Sequence, residues 1–172
     1  MSCPPPTYAD SLHLSRVIVG VADVAASADA SMRLVTFALG SCLGITVYDP
    51  VAKVGAMLHV MLPDSALHRS RAETNPAVFV DTGVPLLFRE AYRLGAVKHR
   101  LVIKVAGGAS ARSGSDLFEI GRRNMFALRE VLWKNGVAIT GHAVGGFAPR
   151  TITLNIATGN VLLRTGATDT VL

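Results

Sequence analysis

The chain has 172 residues, half of them hydrophobic and 17% charged. That is enough for one domain with one buried core, and too apolar for a disordered state. The net charge of +5 is uneven, with 10 basic and 4 acidic residues over Arg89–Lys134, a balance that reads as the solvated faces of two helices. A nucleic-acid surface is not expected, because only Arg122 and Arg123 are adjacent there and aromatics are 6%.

In chain order, Met1–His13 reads as a flexible tail, with Pro4-Pro5-Pro6 opposing helix. No secretory signal is expected, since no basic segment or apolar run opens the chain. A single domain is expected over 14–172. Arg16–Val24 alternates like a strand, and Ala25–Met32 reads as a loop. Three apolar strands follow closely: Leu34–Leu39, Leu43–Tyr48 and Val54–Met61. The short Asp49–Lys53 link suits a hairpin between the last two, and their near-continuous apolarity suggests burial on both faces. The richest apolar run, Val54–Leu62, is far short of the roughly 18–20 residues of a membrane span.

Asp64–Pro76 is a loop by composition. Val80, Val84, Leu87, Phe88, Ala91 and Leu94 then recur at helical spacing up to Gly95. Pro85 allows a helix that starts near Asp81, or an earlier one that kinks. Leu101–Val105 is a strand closed by Gly107-Gly108. Asp116 and Glu119 have capping-box spacing ahead of a second helix ending at Gly136. Val137–His142, Thr151–Ile156 and Val161–Arg164 complete about seven strands against two helices. The expected class is α+β, with mixed or antiparallel sheets flanked by the two helices.

Cys42 is the sharpest chemical candidate. It follows Gly40-Ser41 and precedes Leu43-Gly44, in a turn between two strands. A lone cysteine is most often a small buried hydrophobe. The hairpin, however, carries His59 on the next strand, where an imidazole is placed to take the thiol proton. Thr36, on the preceding strand, is placed to orient that ring. Backbone N–H groups around Gly40, Ser41 and Cys42 are candidates to hold an oxyanion. A paired thiol of this kind is expected to ionise below the free-thiol value of roughly 8.5. The other histidines lie in charged stretches, at a strand end or near the tail. No metal-ligand spacing is present, and no cofactor is expected.

The stretch Thr36-Phe-Ala-Leu-Gly-Ser-Cys42-Leu-Gly-Ile-Thr-Val-Tyr-Asp49-Pro, followed by Gly55-Ala-Met-Leu-His59-Val-Met-Leu-Pro63, resembles the chemoreceptor glutamine deamidase CheD family. Thr36, Cys42 and His59 fall on the family's threonine, cysteine and histidine positions. The resemblance continues through Lys104-Val-Ala-Gly-Gly-Ala109, Ile120-Gly-Arg-Arg-Asn124, Gly145-Gly146 and Thr158-Gly159. The chain departs from the family with Ala143, Pro149 and the small Ala106. The resemblance implies layered sheets flanked by helices and a cytoplasmic chemotaxis hydrolase. Cys42, His59 and Thr36 would convert receptor glutamines to glutamate. It also implies a response-regulator phosphatase of the CheC type as a partner. The other reading is a binding module for such a phosphatase or receptor, without turnover.

Overall fold

The computed structural model describes residues 15–110 and 119–172. Ten strands and three α-helices are present among these residues: β1 (Ser15–Ile18), β2 (Asp23–Ser27), β3 (Met32–Leu39), β4 (Leu43–Asp49), β5 (Val54–Val60), α1 (Arg69–Thr74), α2 (Val80–Arg93), β6 (Val102–Gly107), α3 (Ile120–Lys134), β7 (Gly141–Val144), β8 (Arg150–Asn155), β9 (Val161–Thr165) and β10 (Thr168–Val171). They form two five-stranded sheets, in the orders β1-β3-β8-β9-β10 and β2-β5-β4-β6-β7. Each is mixed: β1–β3 and β6–β7 are parallel pairs, and the remaining pairs are antiparallel. The expected α+β class and layered sheets are therefore present.

Strand period explains the layering. On β4 and β5, Leu43, Ile45, Val47, Val54, Ala56, Leu58 and Val60 face the helices and pack with Val84, Leu87, Ala91, Leu128 and Leu132. The alternate residues Tyr48 and Met57 face the other sheet and pack with Leu34, Leu39, Ile152, Leu154 and Ile156. All seven residues of each strand are buried, as strands covered on both faces must be. Two glycines let the sheets approach. A Cβ on Gly44 would stand 2.7 Å from Leu39 Cδ1, and one on Gly55 would stand 2.6 Å from Ile156 Cδ1. The arginines of α2 and α3 point outward, Arg93 being 66% and Arg122 79% exposed along the side chain.

Several elements differ from expectation. The strand expected over Arg16–Val24 divides at Ala22, whose φ is 56°, and β1 and β2 join different sheets. The loop expected over Ala25–Met32 is strand as far as Ser27, because β2 pairs antiparallel with β5, Asp23–Ser27 opposite Gly55–His59. Asp64–Pro76 holds α1 and short 3₁₀ turns, capped by the Asp64 and Asn75 side chains. Polar composition alone does not separate such turns from loop. α2 begins at Val80, so Pro85 lies inside the helix. The strand placed at Val137–His142 sits at Gly141–Val144, its register fixed by β6. β10 was not anticipated. The expected tail over Met1–His13 and the capping residue Asp116 lie outside the described residues. Glu119 makes no side-chain cap bond to α3.

Candidate active site

The site lies where the two sheets face each other, at the end of the β4–β5 hairpin. In the ladder Gly44 stands opposite His59, and Leu43 opposite Val60. Cys42 lies one residue before β4 and packs against the inward cluster that includes Met57, which shares the His59 face of β5. The same cluster includes Leu39 and Ala106. Cys42 is only partly buried, whereas His59 is 1% exposed. An incoming molecule therefore meets the thiol first, with the imidazole behind it.

Thr36 reaches the same place from the other sheet. Its side chain is fully buried, and its hydroxyl donates to the Val19 carbonyl at 2.7 Å. The same oxygen lies 2.7 Å from His59 Nδ1. A hydroxyl has one proton, and here Val19 receives it. Thr36 Oγ1 must therefore accept from His59, which places the ring proton on Nδ1 and leaves the Nε2 lone pair free. Nε2 is buried and without a hydrogen-bond partner among the described residues. The arrangement fixes an imidazole tautomer whose basic nitrogen is available for a proton.

Three consecutive carbonyls of the Gly40–Cys42 turn are each anchored by a hydrogen bond. The Gly40 carbonyl accepts from Ala109 N–H at 2.8 Å, and the Cys42 carbonyl from Gly108 N–H at 2.8 Å. Between them the Ser41 carbonyl accepts from Asn124 Nδ2 at 3.1 Å. Gly107 is needed for this contact: its φ is 110°, and a Cβ there would lie 2.2 Å from the Cys42 carbonyl oxygen. The second double glycine joins the same cluster. Gly145 N–H donates to the Gly107 carbonyl at 3.0 Å, and Ser110 N–H to that of Gly146 at 2.9 Å. Arg150 Nη1 also donates to the Gly107 carbonyl, at 3.3 Å. Upstream, β3 shifts register between Thr36 and Leu39. Ala38 there has φ 55°, a strained angle of a kind that gathers at functional sites.

Electrostatically the pair is neutral at rest. Burial pushes the Cys42 thiol up, opposed by its own backbone N–H, and burial pushes His59 down. The sequence-based expectation of a thiol ionised well below its ordinary value does not fit this geometry. What fits is a protonated thiol on the same face as a neutral base.

Thr36, Gly40, Ser41, Cys42 and His59 are thus gathered at one place, whereas Thr158-Gly159 lies elsewhere, against the Tyr48 ring. His68, His99 and His142 are exposed. No group of three or more metal-ligating side chains occurs among the described residues, and no helix there is long and apolar enough to cross a membrane. Sequence reasoning about chemistry missed Val19, which acts through its carbonyl, and Asn124. The signal for Asn124 was present: it is a polar residue on the buried stripe of α3 with Gly121, Leu128 and Leu132.

Residues 61–165 match the family model CheD, described as CheD chemotactic sensory transduction. A Syntrophus aciditrophicus protein named "Probable chemoreceptor glutamine deamidase CheD 1" is 47% identical over 86% of this chain and 92% of its own. A Solibacter usitatus protein, "Probable chemoreceptor glutamine deamidase CheD", is 45% identical over 88% of this chain and 89% of its own. A Pyrococcus abyssi protein of the same name is 43% identical over 85% and 89%. Among solved structures, Neisseria meningitidis protein NMB0706 aligns over 79% of this chain and 64% of its own, at 10% identity and a TM-score of 0.44. That likeness is too distant to carry an argument.

Proposed function

The chain belongs to the CheD family, and we propose that it is a protein-glutamine deamidase acting on the cytoplasmic helical bundle of chemoreceptors. The observation that carries the reading is the relay from Val19 through Thr36 to His59, which leaves Nε2 as a free base on the Cys42 face. In the first half-reaction, the Cys42 thiol proton passes to His59 Nε2 as sulfur bonds to the carboxamide carbon. The carbonyl π pair moves onto oxygen. The oxyanion then re-forms the carbonyl, the C–N bond breaks, and the Nε2 proton leaves with ammonia. In the second, water gives a proton to Nε2 and bonds to the thioester carbon. The C–S bond breaks, the thiol is restored, and glutamate is released. Thr36 holds the ring throughout, and the Ser41 and Cys42 N–H groups receive the oxyanion; the Gly40 N–H, also expected there, is instead taken by the Ala38 carbonyl at 2.9 Å. These steps draw on water and on the chain's own side chains and backbone.

The relatives' names support the substrate class. A response-regulator phosphatase of the CheC type is the proposed regulatory partner, and the cytoplasm, where receptor bundles lie, is the proposed location. The test is ammonia release from a glutamine-bearing receptor cytoplasmic fragment. Wild-type protein should release it and Cys42→Ala should not. Equal release by the two would remove Cys42 as nucleophile. If neither releases ammonia, yet the folded wild type binds the fragment, the non-catalytic binding module becomes the better reading.

A further inference from the structure

Asn124 is a fully buried polar side chain on α3. Its single amide nitrogen donates to the Ser41 carbonyl at 3.1 Å and to the Met61 carbonyl at 2.8 Å. Ser41 immediately precedes Cys42, and Met61 lies two residues beyond His59. One carboxamide therefore bridges the segment that carries the thiol and the segment that carries the imidazole. Its Oδ1 is buried with no partner among the described residues. A buried amide that leaves its acceptor unsatisfied is costly, so a purely packing role would be served better by an apolar side chain.

We propose that Asn124 is a positioning residue: by holding the Ser41 and Met61 carbonyls together it sets the Cys42–His59 spacing and aims the Cys42 N–H at the reacting carbonyl oxygen. The direction follows from peptide geometry. A trans peptide points its C=O and N–H oppositely, so drawing the Ser41 carbonyl toward α3 turns the Cys42 N–H away from α3. Gly40 and Cys42 are held the same way by Ala109 and Gly108. Those two anchors are backbone groups, so Asn124 supplies the side-chain member of the set. Close approach of α3 makes this possible. A Cβ on Gly121 would lie 2.5 Å from the Gly108 carbonyl oxygen, so glycine there brings the helix within reach of the turn.

The proposal rests on Cys42 as the nucleophile, and its test separates the two. Asn124→Ala removes both donors. Asn124→Asp keeps the shape and, once ionised, presents only acceptors to two carbonyls. The sequence holds a second cysteine, Cys3, so wild type and variants are compared in a Cys3→Ser background, with activity expressed per active site titrated by a thiol-directed alkylating agent. Both variants should lose kcat on the order of 10²-fold, the effect of a misplacement near 1 Å, with KM changed less than about threefold. Without substrate, their Cys42 alkylation profile should shift away from that of wild type. Asn124→Asp should recover partly as pH falls, because the protonated acid again has a proton to donate. A merely structural residue would lower the melting temperature while leaving kcat per titrated site within about threefold and the alkylation profile unmoved. That result would overturn the proposal. The alkylation readout stands even if the wild type shows no deamidase activity. Should neither variant fold, wild-type protein labelled with nitrogen-15 decides. The Asn124 side-chain amide protons should exchange slowly and change shift when Cys42 is alkylated. A fast-exchanging pair, indifferent to Cys42, would count against the proposal.

Discussion

Replacing Gly107 by alanine should displace the Gly40–Cys42 turn without touching the Cys42 or His59 side chain. A Cβ built there stands 2.2 Å from the Cys42 carbonyl oxygen and 3.2 Å from its carbon. Cβ atoms essentially never come within 3.0 Å of such an atom, so the two backbones must part by about 1 Å. No flexible side chain can absorb that, because the obstruction is main chain. The φ of 110° at Gly107 also lies where L-residues are strained. Separation by 1 Å would stretch the Gly108–Cys42 hydrogen bond from its 2.8 Å past the bonding range. Misplacement on that scale costs on the order of 10²-fold in rate. The assay is steady-state ammonia release by folded Gly107→Ala protein, with KM measured alongside. The expected result is a kcat lower by about 10²-fold. A folded variant with kcat within about threefold of wild type would refute the reasoning that this contact sets the Cys42 geometry.

Thr36→Val should free the His59 tautomer and lower kcat by about 10–10²-fold, part of what general-base catalysis supplies. Thr36→Ser should retain most activity, and equal loss in both would remove the hydroxyl from the account. His59 is pushed below its ordinary pKa by burial, so its neutral, basic form persists to lower pH. The acid limb of kcat/KM should therefore fall below roughly pH 6.5, and a limb at or above that value would contradict the assignment. Cys42 is pushed upward, so its alkylation in the absence of substrate should have a midpoint above roughly 8.5. Asp49 is fully buried and bonded to Arg100 at 2.8 Å. Burial alone would raise its carboxyl, but Arg100 and the Ala52, Val97 and Val51 N–H groups hold it well below the usual range. Its folded pKa is depressed, so its contribution is complete above the unfolded value of about 3.9 and fades as pH falls below that. Asp49→Ala should cost about 3–5 kcal/mol at pH 7 in urea unfolding. The difference from wild type should shrink in more acid solution, and a pH-independent difference would contradict the linkage.

Much of the site was legible because its parts lie close in sequence. The Thr36, Cys42 and His59 strands are consecutive, and a hairpin with strand period suffices to put thiol and imidazole on one face. The helices α2 and α3 were legible for a similar reason, their buried stripes recurring at helical spacing. What stayed hidden depends on distant partners. The division at Gly20–Ala22 follows from β1 and β2 entering different sheets, and β7 takes its position from the parallel partner β6. Asn124 lies 83 residues from Ser41, so its bridging role needs the fold. Asp49 opens the short link expected as a hairpin turn, and it does accept from Val51 and Ala52 N–H. Its ion pair with Arg100, 51 residues on, is tertiary. The thiol's ionisation was misjudged because proximity to a histidine was visible in the sequence and depth of burial was not.

The most direct test of Cys42-dependent deamidation is mass spectrometry of a receptor cytoplasmic fragment incubated in oxygen-18 water. Wild-type protein should convert specific glutamines to glutamates carrying one solvent oxygen, and neither Cys42→Ala nor His59→Ala should do so. Conversion of the same glutamines at an undiminished rate by Cys42→Ala would contradict the account.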